Sequence, residues 1–177
     1  TTINIVVSED TTALETKLNS MVDAYNQFIT VSNYLTGDKV EDDEIAGSLG
    51  AEKGTVNLIK NRVRGIIGQT SESASNGVST LRDLGIQTKL GGEISLNAAT
   101  YAAVVRDKFS DVRTMLTADL IDQDKSDRRD HGLALDITTV LDNMTNDQGT
   151  ITTEETNVTA DVARYEKELT DLQERLE

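Results

Sequence analysis

The single histidine, His131, stands beside Arg128, Arg129 and Asp130, and an imidazole among charges is the group a general base requires near neutral pH. The run around it, residues 122–131 (DQDKSDRRDH), reads as a solvated loop, so His131 reads as a surface residue. A second chemistry, binding of a divalent cation by oxygen ligands, is suggested by two acidic stretches. Asp122, Asp124 and Ser126 open like an EF-hand loop, but Asp127 stands where the turn requires glycine and Leu133 where the bidentate acid belongs. Asp42, Asp43 and Glu44 are consecutive, with no turn glycine at ligand spacing. Both stretches read as solvated surface. Carboxylate pairs for glycoside cleavage are available in any acidic chain, yet sugar clefts are lined by aromatic rings and only 3% of these residues are aromatic. No P-loop, G-x-G-x-x-G, G-x-S-x-G or H-E-x-x-H spacing occurs. Without cysteine there is no thiolate nucleophile, cysteine metal site or disulfide. The reading is therefore of a non-enzymatic chain without cofactor or metal, and the informative residues are apolar ones at helical spacing.

Net charge narrows the partners. Seventeen basic residues against thirty-one acidic ones give −14, a field that repels phosphate backbones and anionic lipid, so neither nucleic acid nor a membrane surface is expected. No apolar run approaches the ~20 residues of a membrane span, and no signal segment opens the sequence. Proline is absent, which suits long uninterrupted helices. Few aromatics and no proline point to a structure stabilised by helix length and by neighbours.

The elements follow from periodicity. Thr2 to Val7 alternates Ile3, Ile5 and Val7 and reads as a strand ending a preceding β-rich domain or linker, residues 1–10. Both ends of the sequence read as cut from a longer chain. Thr12 and Glu15 form a capping-box pair opening a helix to about Tyr34, in which Leu14, Leu18, Met21, Tyr25 and Phe28 recur at spacings of four and three, widened by Val22 and Ile29. That is a heptad seam. An acidic loop, 36–47, leads to a helix near 52–71 with Val56, Ile59, Val63, Ile66 and Ile67 on one face; its Gly54, Gly65 and Gly68 either weaken it or permit close helix approach. After a polar loop (70–76), Ile86–Leu90 and Glu93–Leu96 flank Gly91-Gly92, a hairpin signal. Asn97 is placed to cap the next helix, which carries Tyr101, Val104 and Val105, with Phe109, Val112 and Met115 beyond. A fourth helix from about Gly132 is expected to bury Leu133, Ile137, Val140, Leu141 and Met144 and to stop near Gly149. Thr152 and Glu155 make a second capping box before a terminal coiled helix, 153–177, whose seam is Val158, Val162, Tyr165, Leu169, Leu172 and Leu176.

The fold expected is mainly α: an elongated helical bundle or coiled coil with a small β-hairpin near 86–96, residues 11–177 forming one helical domain. The two seams admit two readings that do not exclude each other. They can be the core of a bundle closed within the chain, or the first and last helices can form a rod packing against copies or relatives of itself.

The order of these signals carries a resemblance. A helix containing LETKLNSMVDAYNQFI is followed by a Gly-flanked polar loop, by STLRDLGIQTKLGGEISLN running into a helix, and by GLALDITTVLDNMTNDQGTI before a coiled helix. The series resembles the C-terminal region of bacterial flagellar hook-associated protein 2, the filament-cap family. Its Val-x-x-Tyr-Asn element is matched by Val22, Tyr25 and Asn26. Its Leu-x-x-Leu/Ile-Gly-Ile and Gly-x-Leu/Ile-x-Leu-Asp/Asn elements are matched by Leu81, Leu84, Gly85, Ile86, Gly92, Ile94, Leu96 and Asn97. Its Gly-Leu-Ala and Gly-x-Ile elements are matched by Gly132, Leu133, Ala134, Gly149 and Ile151. Two departures are local: Asn97 where aspartate is commoner, and Ser110-Asp111 where the family has Asp-Pro. The resemblance implies a leg domain of a flagellar structural protein, exported without a cleaved signal peptide. Such a protein caps the extracellular filament tip as a homo-oligomeric ring and promotes flagellin assembly. The implied partners are its own copies, flagellin, hook-associated junction proteins and an export chaperone. Other flagellar axial proteins (a hook–filament junction protein or flagellin) and a non-flagellar coiled-coil adaptor are the alternatives.

Overall fold

The computed structural model describes residues 10–37, 46–50, 52–74, 77–118 and 129–176. The strand expected at 2–7, the acids Asp42, Asp43 and Glu44, and the run 122–128 lie outside the described residues. The chain divides into two compact units, Thr1–Ala134 and Leu135–Glu177.

The first unit is built around helix α1, Thr11–Leu35. Its N-cap is Asp10, whose carboxylate accepts a hydrogen bond from the Ala13 amide at 2.8 Å, and not the expected Thr12, which lies inside the helix. An anionic acceptor at the positive end of the helix dipole outcompetes a hydroxyl further in. The buried stripe is Leu18, Val22, Tyr25, Ile29 and Ser32, so the inward face is centred one position beyond the expected seam. Leu18 and Tyr25 belong to both stripes, whereas Leu14, Met21 and Phe28 are half-buried flanks.

Against α1 lies the hairpin of β1, Ile86–Thr88, and β2, Ile94–Leu96. The strands are antiparallel, with Ile86 opposite Leu96 and Thr88 opposite Ile94, and the turn closes through Gly91 and Gly92 as the sequence predicts. Two side chains of α1 hold it. Asn26 donates from Nδ2 to the Ile94 carbonyl at 2.9 Å and accepts from the Ile94 amide at 2.8 Å, so its carboxamide meets β2 as a third strand's peptide group would. The Tyr25 hydroxyl donates to the Gly92 carbonyl at 3.1 Å. The Val-x-x-Tyr-Asn element is thus a hairpin clamp.

Leu81 and Leu84 are 1% and 0% exposed, and each buried leucine contributes about 1.5–3 kcal/mol relative to an exposed one. Between them and β1 the chain turns at Gly85 with φ +104°, where an added Cβ would sit 3.0 Å from the Asn97 carbonyl. Only glycine meets both conditions comfortably. Asn97 caps α3, Ala98–Thr117, accepting from the Thr100 amide at 2.9 Å. Helix α3 buries Tyr101, Val105, Val112 and Met115 and is broken by a non-helical Lys108 (φ −141°, ψ 33°). The polar loop after α2, Lys53–Gly68, has a structural duty: Ser71 and Ser73 donate to the carbonyls of Met115 and Thr114, both at 2.9 Å, satisfying acceptors in the last turn of α3.

His131 is a correction. It is 7% exposed, not a solvated loop residue. The cause is its neighbour: a Cβ at Gly132 would fall onto the carbonyl of Leu116 and the nitrogen of Thr117, so the chain passes in backbone contact with the end of α3 and carries His131 inward.

Helices α4, Leu133–Thr145, and α5, Thr150–Glu174, complete the chain. Leu133 and Met144 are buried as expected, whereas Leu141 is 40% exposed. The second capping box does not form. Gly149 is the N-cap of α5, and the Thr152 hydroxyl donates instead to the Thr145 carbonyl at 3.3 Å. A Cβ at Gly149 would overlap the Met144 carbonyl; this tight turn starts the helix before Thr152.

Candidate assembly surface

The two seams meet opposite fates. On α1, Leu18 and Tyr25 are 5% exposed each and lie in the core of their own unit. On α5 no residue is buried. Val158 is 36% exposed, Val162 50%, Tyr165 59%, Leu169 58%, Leu172 54% and Leu176 86%. The five on α5, at spacings of four, three, four and three, therefore form a continuous exposed ridge, and Leu176 lies past the end of the helix at Glu174, short of the 177 that the sequence suggests. Isolated exposed apolar residues are ordinary, but a contiguous strip marks an interaction surface. The ridge is flanked by charge: Arg164 pairs with Asp161 at 3.0 Å and lies over the Tyr165 ring at 5.0 Å from its centroid. Its guanidinium is raised above its ordinary pKa, first by the hydrogen bond with Tyr165 and then by the field of Asp161.

Helix α2 is the second outward surface. Ile66 is its buried residue, and Val56, Ile59, Val63 and Ile67 are half-buried. Nothing lies within 4 Å of a Cβ at Gly54, Gly65 or Gly68, so these glycines approach no other helix within the described chain.

Beside α2, the hairpin and the 79–83 turn border a cavity of about 560 Å³ lined by Ile67, Ile86 and Ile94 and by Arg64, Arg82 and Asp83. Asp83 accepts from the amides of Ser79 and Thr80, both at 2.9 Å, and from their hydroxyls at 3.2 and 2.9 Å. Burial pushes its carboxyl up, but the four hydrogen bonds outweigh that and hold its pKa below the ordinary value of 3.8. Holding four donors of its own turn, Asp83 serves as the brace of that turn. Among the described residues no group of three or more His, Asp or Glu side chains is placed to hold a metal, and no helix is long and apolar enough to cross a membrane.

Sequence reasoning brought out Tyr25 and Asn26 as a motif but not what they hold. It missed Asp83, although the Ser79-Thr80-x-x-Asp83 spacing is itself a capping signal, and it missed the outward face of α2.

Comparison with known proteins supplies the family. The model of the flagellar hook-associated protein 2 C-terminus matches residues 1–177. A-type flagellar hook-associated protein 2 of Pseudomonas aeruginosa is 31% identical over 120 residues, which span 66% of this chain and 24% of that protein. The structure of the flagellar cap protein FliD D1-D2-D3 domains from Escherichia coli superposes with a TM-score of 0.61 over 80% of this chain and 35% of that one. At 22% identity the likeness shows a shared fold. The chain spans about a quarter of the curated relative's length. With the whole sequence matched by one family model, and with the hairpin clamp, the Gly85 turn and the Gly132 contact each falling on a family element, the chain belongs to the flagellar hook-associated protein 2 C-terminal family.

Proposed function

We propose that this chain is the leg region of a filament cap: a structural part of the bacterial flagellum that sits at the filament tip outside the cell, assembles with its own copies, and promotes the addition of flagellin. One observation carries the reading beyond family membership. The α5 ridge, Val158 to Leu172, is apolar, regular and exposed, which is the form of a surface completed by another helix of an assembly. The division of labour is then simple. The Thr1–Ala134 unit closes on itself through the hairpin clamp, and α5 presents the contact. No chemistry of bond making is asked of the chain. Its work is positional, and its partners are copies of itself, flagellin and adjoining axial proteins, reached after export without a cleaved signal peptide.

The test uses the full-length protein in its own cell. Leu169→Asp together with Leu172→Asp places two charges on the ridge without touching either unit's core. The expected result is bare hooks with flagellin in the medium, at normal cellular levels of the variant. Normal filaments and motility in that strain would overturn the ridge as an assembly surface. Normal filaments after deletion of the whole gene, with no second copy present, would overturn the cap role itself.

A further inference from the structure

The cavity of the first unit gathers positive charge in an acidic chain. Arg64 and Arg82 both line it, in a chain of net charge −14. Both are exposed, and among the described residues neither makes a hydrogen bond or an ion pair. The carboxylate beside them in the lining, Asp83, is taken up by the amides and hydroxyls of Ser79 and Thr80. The Tyr25 hydroxyl of the same lining is spent on the Gly92 carbonyl. The hairpin turn helps to place one arginine: a Cβ at Gly92 would stand 2.5 Å from a guanidinium nitrogen of Arg64, so a side chain there would displace it. Two forked cations thus face one cavity with their donors unspent, the arrangement that suits a carboxylate.

The backbone of β1 is open at the same cavity. Lys89 donates to the Glu93 carbonyl at 2.7 Å and Asn97 to the Gly85 carbonyl at 2.9 Å, so the bonded pairs of this antiparallel ladder fall at 85, 87 and 89. The amides and carbonyls of Ile86 and Thr88, both residues of the lining, therefore point away from β2. The Ile86 amide donates to the Leu81 carbonyl at 2.9 Å, whereas the amide and carbonyl of Thr88 have no partner among the described residues. On β2 the outward amide and carbonyl of Ile94 are both held by Asn26. An open strand edge takes an extended peptide by main-chain pairing. A small organic acid would use the arginines and leave the edge idle; a peptide uses both.

We propose that β1 and the cavity beside it dock an extended, acidic segment of a partner protein. The segment pairs through its backbone with Thr88 and sets a carboxylate side chain against Arg64 and Arg82. The side chain two residues along lies on the same face of the segment, is apolar, and meets Ile67. Every group invoked belongs to the Thr1–Ala134 unit, and the inference stands apart from the cap reading.

The test is fluorescence anisotropy of a labelled, end-blocked peptide, Val-Glu-Val-Glu-Val, titrated with the full-length protein. Saturable binding is expected. R64E with R82E should weaken it about tenfold, the scale of losing close charge pairs from a contact. The same variant should bind Val-Lys-Val-Lys-Val better than the parent does, which a general loss of structure would not allow. N-methylation of alternate peptide amides tests the strand edge without altering the protein. In one of the two phases it should weaken binding about fivefold, the scale of one hydrogen bond, and in the other it should change nothing. Absence of binding, equal binding of Val-Gln-Val-Gln-Val, or equal effects of methylation in both phases would overturn the proposal. Glutarate that competes as strongly as the peptide would assign the cavity to a small acid and overturn it too.

Discussion

Replacing Asn26 by alanine removes the clamp between α1 and the hairpin without opening a large cavity. The carboxamide makes two hydrogen bonds to the backbone of Ile94, 2.9 Å to its carbonyl and 2.8 Å from its amide, and Ile94 is 2% exposed. Truncation leaves one donor and one acceptor of β2 without a protein partner. A buried unsatisfied group costs about 1–3 kcal/mol. Both bonds are partly buried, so water recovers some of the loss and the low end applies, giving about 2–3 kcal/mol in total. Asn26→Asp is the sharper probe. At neutral pH the introduced carboxylate still accepts from the Ile94 amide but sets a second negative oxygen against the Ile94 carbonyl. Protonation restores a donor there, so the introduced group has a folded-state pKa above its unfolded value of about 3.9. The folded state then holds its proton more tightly, and the variant loses stability as pH rises through the window above about 3.9. The assay is urea denaturation followed by circular dichroism, with hydrogen exchange at the Ile94 amide as the local readout. If Asn26→Ala lies within about 0.5 kcal/mol of the parent with the Ile94 amide equally protected, the clamp is not a stabilising contact and the reasoning fails.

Three further outcomes follow from particular contacts. Gly132→Ala should destabilise the first unit by about 1–3 kcal/mol or more, because its methyl group meets the backbone of Leu116 and Thr117; a thermal melt unchanged by the substitution would contradict the contact. Asp83→Asn should weaken the 79–83 turn at neutral pH, since the carboxylate accepts four hydrogen bonds and its folded pKa is depressed. That contribution is fully present above the unfolded value and is lost as pH falls through the folded one, so the difference between parent and variant should shrink progressively as pH falls below about 3.8, and a difference that stays constant with falling pH would refute it. Leu84→Ala, at a site 0% exposed, should cost about 2–5 kcal/mol. Leu169→Ala, at 58% exposure, should change the stability of the unassembled chain by no more than about 0.5 kcal/mol. Equal losses in equilibrium unfolding would deny that the ridge is free.

What could be read from the sequence was local. The Gly91-Gly92 hairpin, the Asn97 cap and the helical spans depend on hydrogen bonds between residues a few positions apart, and the structure has them. The capping boxes at Thr12 and Thr152 went astray because each competes with a neighbour. Asp10 supplies a stronger acceptor, and the Gly149 turn starts its helix before Thr152. The seam on α1 was found, but its centre was displaced. Leu14 to Phe28 and Leu18 to Ser32 are both regular at four and three, and only the elements packed against α1 decide which faces inward.

The same limit explains the candidate surface. By itself the sequence determined that Val158, Val162, Tyr165, Leu169 and Leu172 of α5 fall on one line, since that is a property of spacing. The tertiary structure decided that Leu18 and Tyr25 of the first seam are core, with Leu14, Met21 and Phe28 at its flanks, and that the last seam is exposed. It also decided that His131 is buried, that Asn26 joins two elements 68 positions apart, and that the glycines of α2 face open space. Those facts rest on contacts between segments far apart in sequence. No local pattern encodes them, because burial is a relation between a face and whatever covers it.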